Sequence, residues 1–227
     1  MGELLVRGRA EGRLAPSHAV LDVTVQAREP ASQEAAVARA ATACELVDDL
    51  IQRQRQGTDP LIRTAETSSI RTAEHWEYGS GAHQRRRVGW IAERRSRLEC
   101  APDAEGLTAL VAALIHNDIR LSGPQWHVAP DVAGWDDLRT AAVADARRRA
   151  DAYAAGAGVR VGAVRWIAEP GVRREPSGDA FAGPALRAAG LAVDHGDQPE
   201  PLPVRVAVEP VAVDITVEVA FDLADSA

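Results

Sequence analysis

A strict alternation of apolar and polar residues near the C-terminus constrains the fold more than any other feature of this sequence. Between residues 211 and 223 every second side chain is large and apolar: Val211, Val213, Ile215, Val217, Val219, Phe221 and Leu223. The positions between them are small or polar. Successive side chains of a β-strand point to opposite faces, so this pattern predicts a half-buried strand with one face in the core and one in water.

The N-terminal residues 4–28 show the same period of two. Val6, Gly8 and Ala10 alternate with charged residues, and the apolar positions after Pro16 are Ala19, Leu21, Val23, Val25 and Ala27. We therefore expect extended structure with one buried face. Because proline interrupts strand hydrogen bonding, the segment is either two strands divided at Pro16 or one bent strand.

Helical and extended patterns alternate up to residue 129. The two helical segments are residues 32–55 and 103–116, and the three extended segments are residues 61–78, 86–100 and 119–129. Ser32 is the expected N-cap of the first helix. The turn-forming sequence from Tyr78 to Ala82 predicts that the first two of these strands form a hairpin. The resulting order, β-α-β-β-α-β, is that of a ferredoxin-like unit.

The second half is predicted to add one long helix and two strands. The helix covers residues 133–157 and carries alanine at every fourth position, a ridge that permits close packing on a sheet or another helix: Ala142, Ala146, Ala150 and Ala154. A strand follows at residues 161–169. Residues 170–203, rich in proline and glycine, predict a long loop before the terminal strand.

These patterns together predict an α+β fold, a ferredoxin-like βαββαβ unit elaborated by a long Ala-rich helix and two further strands in a mainly antiparallel sheet. We expect a single domain over residues 1–227. Within it, residues 1–130 form the βαββαβ half. Residues 131–227 contain the long helix, a strand, the loop and the terminal strand.

Composition excludes several classes of function. The formal net charge of −7 argues against general nucleic-acid binding, which needs a positive surface. No apolar run approaches the ~20 residues of a membrane-spanning helix, and no export signal is visible, so we expect a cytoplasmic protein. All 26 basic residues are arginine, a bias typical of a GC-rich genome such as that of an actinobacterium. Arginine richness is therefore not itself evidence of function.

The sequence contains no recognisable catalytic, cofactor or metal motif. Cys44 and Cys100 show no metal-ligand spacing, and none of the six histidines does either. His75 and His83 flank the predicted hairpin turn, where exposed loop histidines are the favoured interpretation over a metal pair. There is no G-x-S-x-G elbow and no dinucleotide-binding glycine motif. We expect a protein that is not an enzyme and holds no cofactor.

One strand concentrates basic residues. The cluster consists of Arg85, Arg86, Arg87, Arg94, Arg95 and Arg97. Strand periodicity predicts that Arg87, Arg95 and Arg97 share one face with glutamates, while Arg94 shares the other with Trp90. The candidate interface or ligand-contact residues of the chain are Trp76, Tyr78, Trp90, Arg94, Arg95 and Trp126. A solvated face or an ion-pair patch between subunits is favoured over nucleic-acid binding.

Four sequence blocks in order resemble the SIMPL-domain family, also called domain of unknown function 541. The first block is Val6–Gly12 followed by Pro16–Ala19, which is similar to a "V-x-G-x-G" strand and a "P-D-x-A" turn. The others are Gly89–Ala92, then Asp145–Ala154 with Gly158–Gly162, and Glu209-Pro210 before the terminal strand. Departures include Ser17 for aspartate, Arg149 for lysine, Trp90 for tyrosine and Ala10 for the second glycine.

This resemblance implies a bacterial protein of unknown cellular role. Many members are exported, unlike the expectation for this chain, and some assemble into rings. The resemblance therefore implies self-association, and we expect a homo-oligomeric structural or interaction module. Two alternatives stay open. One is a small-ligand binding protein with a pocket between the sheet and residues 170–203, and the other is a nucleic-acid binder that uses the Arg85–Arg97 strand.

Overall fold

The predicted α+β class is confirmed by a computed structural model, which describes residues 2–78, 85–169 and 204–225. Three helices and eight strands, mostly antiparallel, lie within these residues. The strands are β1 Gly2–Leu14, β2 His18–Glu29, β3 Ile62–Thr67, β4 Arg71–Tyr78, β5 Arg85–Cys100, β6 Arg120–His127, β7 Val159–Ala168 and β8 Val211–Asp225. The helices are α1 Gln33–Gln54, α2 Ala104–His116 and α3 Trp135–Gly156.

The backbone groups into two compact units, and Pro16 stands where the chain passes from the first to the second. Unit 1 contains the described residues 2–15, 128–169 and 210–225. Unit 2 contains residues 16–78, 85–127 and 204–209. The extended N-terminal segment is therefore two strands, β1 and β2, which belong to different sheets. That residues 1–227 act as one domain stays a prediction.

Unit 1 is a three-stranded antiparallel sheet covered by one helix. The strand order is β1-β8-β7, and the alternating terminal strand β8 lies in the centre. Its predicted apolar face packs beneath α3, whose buried residues are the four alanines of the ridge. A Cβ atom added at Gly8 would lie only 2.6 Å from the backbone nitrogen of Ala146. The glycine and the alanine ridge therefore allow α3 to approach β1 closely.

Unit 2 has the ferredoxin-like arrangement that the sequence predicts. Its sheet has the order β3-β5-β2-β6, with β4 also paired to β5, and all of these pairs are antiparallel. Helices α1 and α2 pack on one face through a core that includes Leu21, Val47 and Leu110. Ser32 caps α1 by accepting a hydrogen bond from the Ala35 N–H, as expected.

Two details of unit 2 differ from the predicted pattern. The first strand of the unit is β2 alone rather than the whole of residues 4–28. Residues 61–78 form two strands instead of one, and both pair with the 16-residue β5. Between them the Ser68 hydroxyl accepts a hydrogen bond from the Arg95 N–H at 3.1 Å, in place of a backbone carbonyl. The predicted loop 170–203 and the turn at residues 79–84 lie outside the described residues.

Within the described part of the chain, no helix has the length and apolar character needed to cross a membrane.

Candidate functional site

The helices of unit 2 cover only one face of its sheet. Along β2, Leu21, Val23 and Val25 point toward the helices and are buried. The residues between them point away. We call this side, which faces away from the helices, the open face, and its charged and polar residues are His18, Asp22, Thr24, Gln26, Arg28, Thr64, Glu66, Arg71, His75, Glu93, Arg95, Arg97, Glu99, Arg120, Ser122, Gln125 and His127.

The open face carries charges of both signs in nearly equal numbers. Its five arginines are Arg28, Arg71, Arg95, Arg97 and Arg120, and its four carboxylates are Asp22, Glu66, Glu93 and Glu99. Arg95 is 76% exposed and pairs with Glu93 at 2.8 Å. Exposed pairs of this kind add little to stability, so these groups are available to other partners at little cost.

Arg97 occupies the centre of this charge pattern. In register it lies opposite Asp22 on β2 and opposite Glu66 on β3. Within the described residues, no carboxylate comes within ion-pairing distance of its guanidinium. Arg97 is exposed, so its charge is hydrated and can be engaged by a group from outside the chain.

A groove of about 610 Å³ lies beside Arg97. Its charged lining residues are Asp22, Glu66, Arg95 and Arg97, and Thr24 and Ser68 carry hydroxyl groups. Thr67 and Ser96 also line it, but their hydroxyls hydrogen-bond to each other at 3.2 Å. Carboxylates, guanidinium groups and hydroxyls together can bind a polar group of either charge. Nothing in this donor set resembles a nucleophile held against a base.

Two histidines lie stacked at one end of the open face. His18 begins β2 and His127 ends β6, and their rings lie 5.2 Å apart with planes 10° from parallel. The Ser17 hydroxyl is 2.8 Å from Nδ1 of His18 and donates to the backbone carbonyl of His127 at 3.2 Å. No local pattern in the sequence indicates this pair, because 109 positions separate the two residues.

Arg94, a predicted contact residue, is held inside unit 2. Its guanidinium donates to both carboxylate oxygens of Asp48, at 2.8 and 2.7 Å, and to the Cys44 carbonyl at 3.1 Å. The side chain is 10% exposed. The hydrogen bond with Asp48 raises the pKa of Arg94, while burial raises the pKa of the Cys44 thiol. This arrangement fastens α1 to β5.

The predicted aromatic contact residues are mostly packed rather than exposed. Trp90 packs against a small cluster of buried alanines, and Trp126 packs against the main core of unit 2. Trp76 is half-buried on β4. Tyr78 pairs with Arg85 through the backbone, but its side chain lies outside the described residues, as does His83. Contact of these side chains and of Arg95 with a ligand or partner stays a prediction.

The basic strand is divided between the two faces of the sheet. Arg95 and Arg97 share the open face with Glu93 and Glu99, as predicted. Arg87 does not, because the pairing of β4 with β5 shifts by one residue between His75 and Trp76. Its guanidinium instead pairs with Glu74 at 3.1 Å and lies over the Trp90 ring. The arginines therefore do not form one continuous basic stripe.

The block Asp145–Ala154 holds unit 1 together. Arg147 donates to the backbone carbonyls of Val161 and Gly162 and lies over the Phe221 ring, which ties α3 to β7 and β8. Asp145 accepts the Arg9 N–H at 3.0 Å. That hydrogen bond, with the nearby charges of Arg149 and Arg148, lowers the pKa of Asp145. The most specific part of the family resemblance is therefore accounted for by folding.

Clusters of three or more metal-ligating side chains do not occur among the residues that the structure describes.

Comparison with known proteins gives one extensive match. A family model described as SIMPL, protein of unknown function (DUF541), matches residues 4–221. No curated protein matches. Among solved structures, one from Burkholderia cenocepacia described as an amidohydrolase/peptidase shares 18% identity, covering 62% of this chain and 33% of that chain. Its TM-score is 0.21, too low to support any argument about fold or activity.

Proposed function

Because this chain belongs to the SIMPL family, whose function is unknown, we propose a role from its own geometry. The protein is a non-enzymatic, self-associating interaction module. Its open face on unit 2 binds the same face of a second copy. A cytoplasmic location and an actinobacterial source stay predictions from the sequence.

The observation that carries this proposal is the mixed charge of the open face. A twofold interface brings one patch against itself, so the patch must be self-complementary. Five arginines and four carboxylates interleaved on one sheet meet that requirement, and Arg97 is placed to pair with Asp22 or Glu66 of a second copy. A face of one sign would repel its own copy.

Two sequence features that could serve self-association, the alanine ridge and the tryptophans, lie inside the units instead. The alanine ridge packs on β1 within unit 1, and Trp90 and Trp126 pack within unit 2. The open face is thus the surface on which the proposal rests. For nucleic acid, carboxylates interleaved with the exposed arginines would repel phosphate, which disfavours that alternative.

The test is the mass in solution of matched charge variants. We expect the wild type to show twice its 24.2 kDa mass by light scattering, with dissociation at high salt. Arg97→Glu should be monomeric, and so should the double variant Asp22→Arg with Glu66→Arg. Mixing the two variants should restore a dimer, because each then supplies the charge that the other lacks. Arg53→Glu, an exposed reversal on α1, is the control and should behave as wild type.

A monomeric wild type at every concentration would reject self-association through this face. The groove then becomes the second candidate, a site for a small polar ligand with both acidic and basic groups. The sequence predicted such a pocket between the sheet and residues 170–203, and those residues lie outside the described part of the chain. Thermal-shift screening with amino acids and short peptides tests the groove, with Arg97→Gln expected to abolish any stabilisation.

A further inference from the structure

The stacked histidines lie on the same open face as the charge pattern. His18 shares its face of β2 with Asp22, and His127 lies directly opposite His18 on β6. The pair therefore stands at the end of the surface that we propose as the interface. Imidazole is the side chain whose ordinary pKa lies within the physiological pH range.

The surroundings of His127 oppose its protonation. Its Nε2 is buried and has no hydrogen-bond partner within the described structure. Burial lowers the pKa of His127, and the charges of His18 and Arg97 lower it further, against the opposing effect of Glu99. On the β3 side, the Arg63 guanidinium binds the Ser17 carbonyl at 3.0 Å and adds another positive group.

We propose that the His18–His127 pair makes association through the open face depend on pH. Two copies associate when the pair is uncharged and separate when the pair gains positive charge. This inference rests on the proposed function and adds its regulation.

The physical reason is the mixed charge of the face. Each proton that the pair takes up adds a positive charge to a surface that already carries five arginines and four carboxylates. In a twofold dimer each added charge occurs once on each copy. Both charges lie in the interface, where fewer water molecules surround them and screen their repulsion. Carboxylates in general stay ionised at pH 5.5, so the change between pH 7.5 and 5.5 comes from histidine.

The experiment measures the dimer dissociation constant at pH 7.5 and 5.5 by sedimentation. For the wild type we expect a rise of about tenfold at the lower pH, the factor that one pKa unit of differential protonation supplies. His127→Gln and His18→Gln, tested separately, should each reduce that rise. His116→Gln, an exposed substitution at the end of α2 on the helix side, should leave it unchanged.

A second measurement tests the pair without reference to association. Because the pKa of His127 is lowered in the folded protein, the unfolded chain binds more protons below about pH 6.5. The free energy of unfolding of the monomeric double variant Asp22→Arg with Glu66→Arg, which keeps Arg97, should therefore fall as the pH drops below that value. The fall should be smaller when His127→Gln is added.

The outcomes separate the two proposals. A monomer at pH 7.5 overturns the proposed function, and this inference with it. A dimer that forms at pH 7.5 and persists unchanged at pH 5.5 overturns this inference alone. This inference is also overturned if His18→Gln and His127→Gln both show the same rise in the dissociation constant at pH 5.5 as the wild type. Circular dichroism at pH 7.5 verifies that each variant is folded. If one of the two histidine variants does not fold, the other is sufficient for the test.

Discussion

Side chains on the two faces of β5 differ in their burial and in their partners. Arg94 and Arg95 are neighbours in sequence, yet Arg94 is enclosed by Asp48 and the Cys44 carbonyl, whereas Arg95 is 76% exposed. A buried guanidinium is tolerated only where its donors find acceptors. The two carboxylate oxygens of Asp48 and the Cys44 carbonyl are three such acceptors. Nε of Arg94 lacks a hydrogen-bond partner within the described residues.

Removing the charge of Asp48 should destabilise unit 2. We expect Asp48→Asn to lower the free energy of unfolding by about 1–2 kcal/mol, because Arg94 would keep its burial but lose its counter-charge. The figure is modest since the Asp48 side chain is 49% exposed and water screens part of the interaction. Urea unfolding followed by tryptophan fluorescence measures the difference. Asp49→Asn, at an exposed neighbouring position, is the matched control, and equal losses in both variants would contradict this account.

At the scale of elements, the contact between α3 and β1 depends on missing side-chain volume. Gly8 on the strand faces Ala142 and Ala146 on the helix, and these two alanines are fully buried. The interface therefore consists of backbone lying close to backbone. Such contacts leave no side chain that can rotate to make room, so added volume must displace the helix.

Gly8→Ala should destabilise unit 1 by about 3 kcal/mol, because the new methyl group would meet helix backbone rather than a flexible side chain. The measurement is the urea midpoint of unfolding by circular dichroism. Gly156→Ala is the control, since the space around Gly156 is open and alanine favours a helix. It should leave the midpoint unchanged or raise it. A Gly8→Ala protein as stable as wild type would show that α3 does not pack as closely as described.

At the scale of the whole molecule, the two units are built differently from the sequence. Unit 2 takes almost all of its described residues from one continuous stretch, 16–127, with residues 204–209 in addition. Unit 1 needs three separate stretches. Chain segments that carry their own core can fold alone, whereas a unit assembled from distant segments cannot form until they meet.

A chain limited to residues 16–127 should fold by itself. It contains β2–β6, α1, α2 and the buried core of unit 2, and it loses the packing of Val206. We expect cooperative thermal unfolding and dispersed amide signals in NMR spectra. If the open face is the interface, this fragment should also dimerise, and Arg97→Glu should make it monomeric. A fragment without cooperative unfolding would show that unit 2 depends on the rest of the chain.

The sequence by itself determined the elements and the fold class. Period-two patterns located β2 and β8, helical spacing located α1–α3, and their order predicted the ferredoxin-like unit, because each pattern arises from neighbours a few residues apart. The same local rule placed Arg94 on the covered face of β5 with Trp90, and Arg95 and Arg97 on the other.

Only the tertiary structure decided which distant residues meet. It assigned β1 to the sheet of β8, turned the alanine ridge inward against Gly8, and moved Arg87 to the opposite face through a one-residue shift in pairing. It also paired His18 with His127 and Arg94 with Asp48. Such contacts depend on strand register and helix packing across many residues, and short-range periodicity in one sequence carries no information about them.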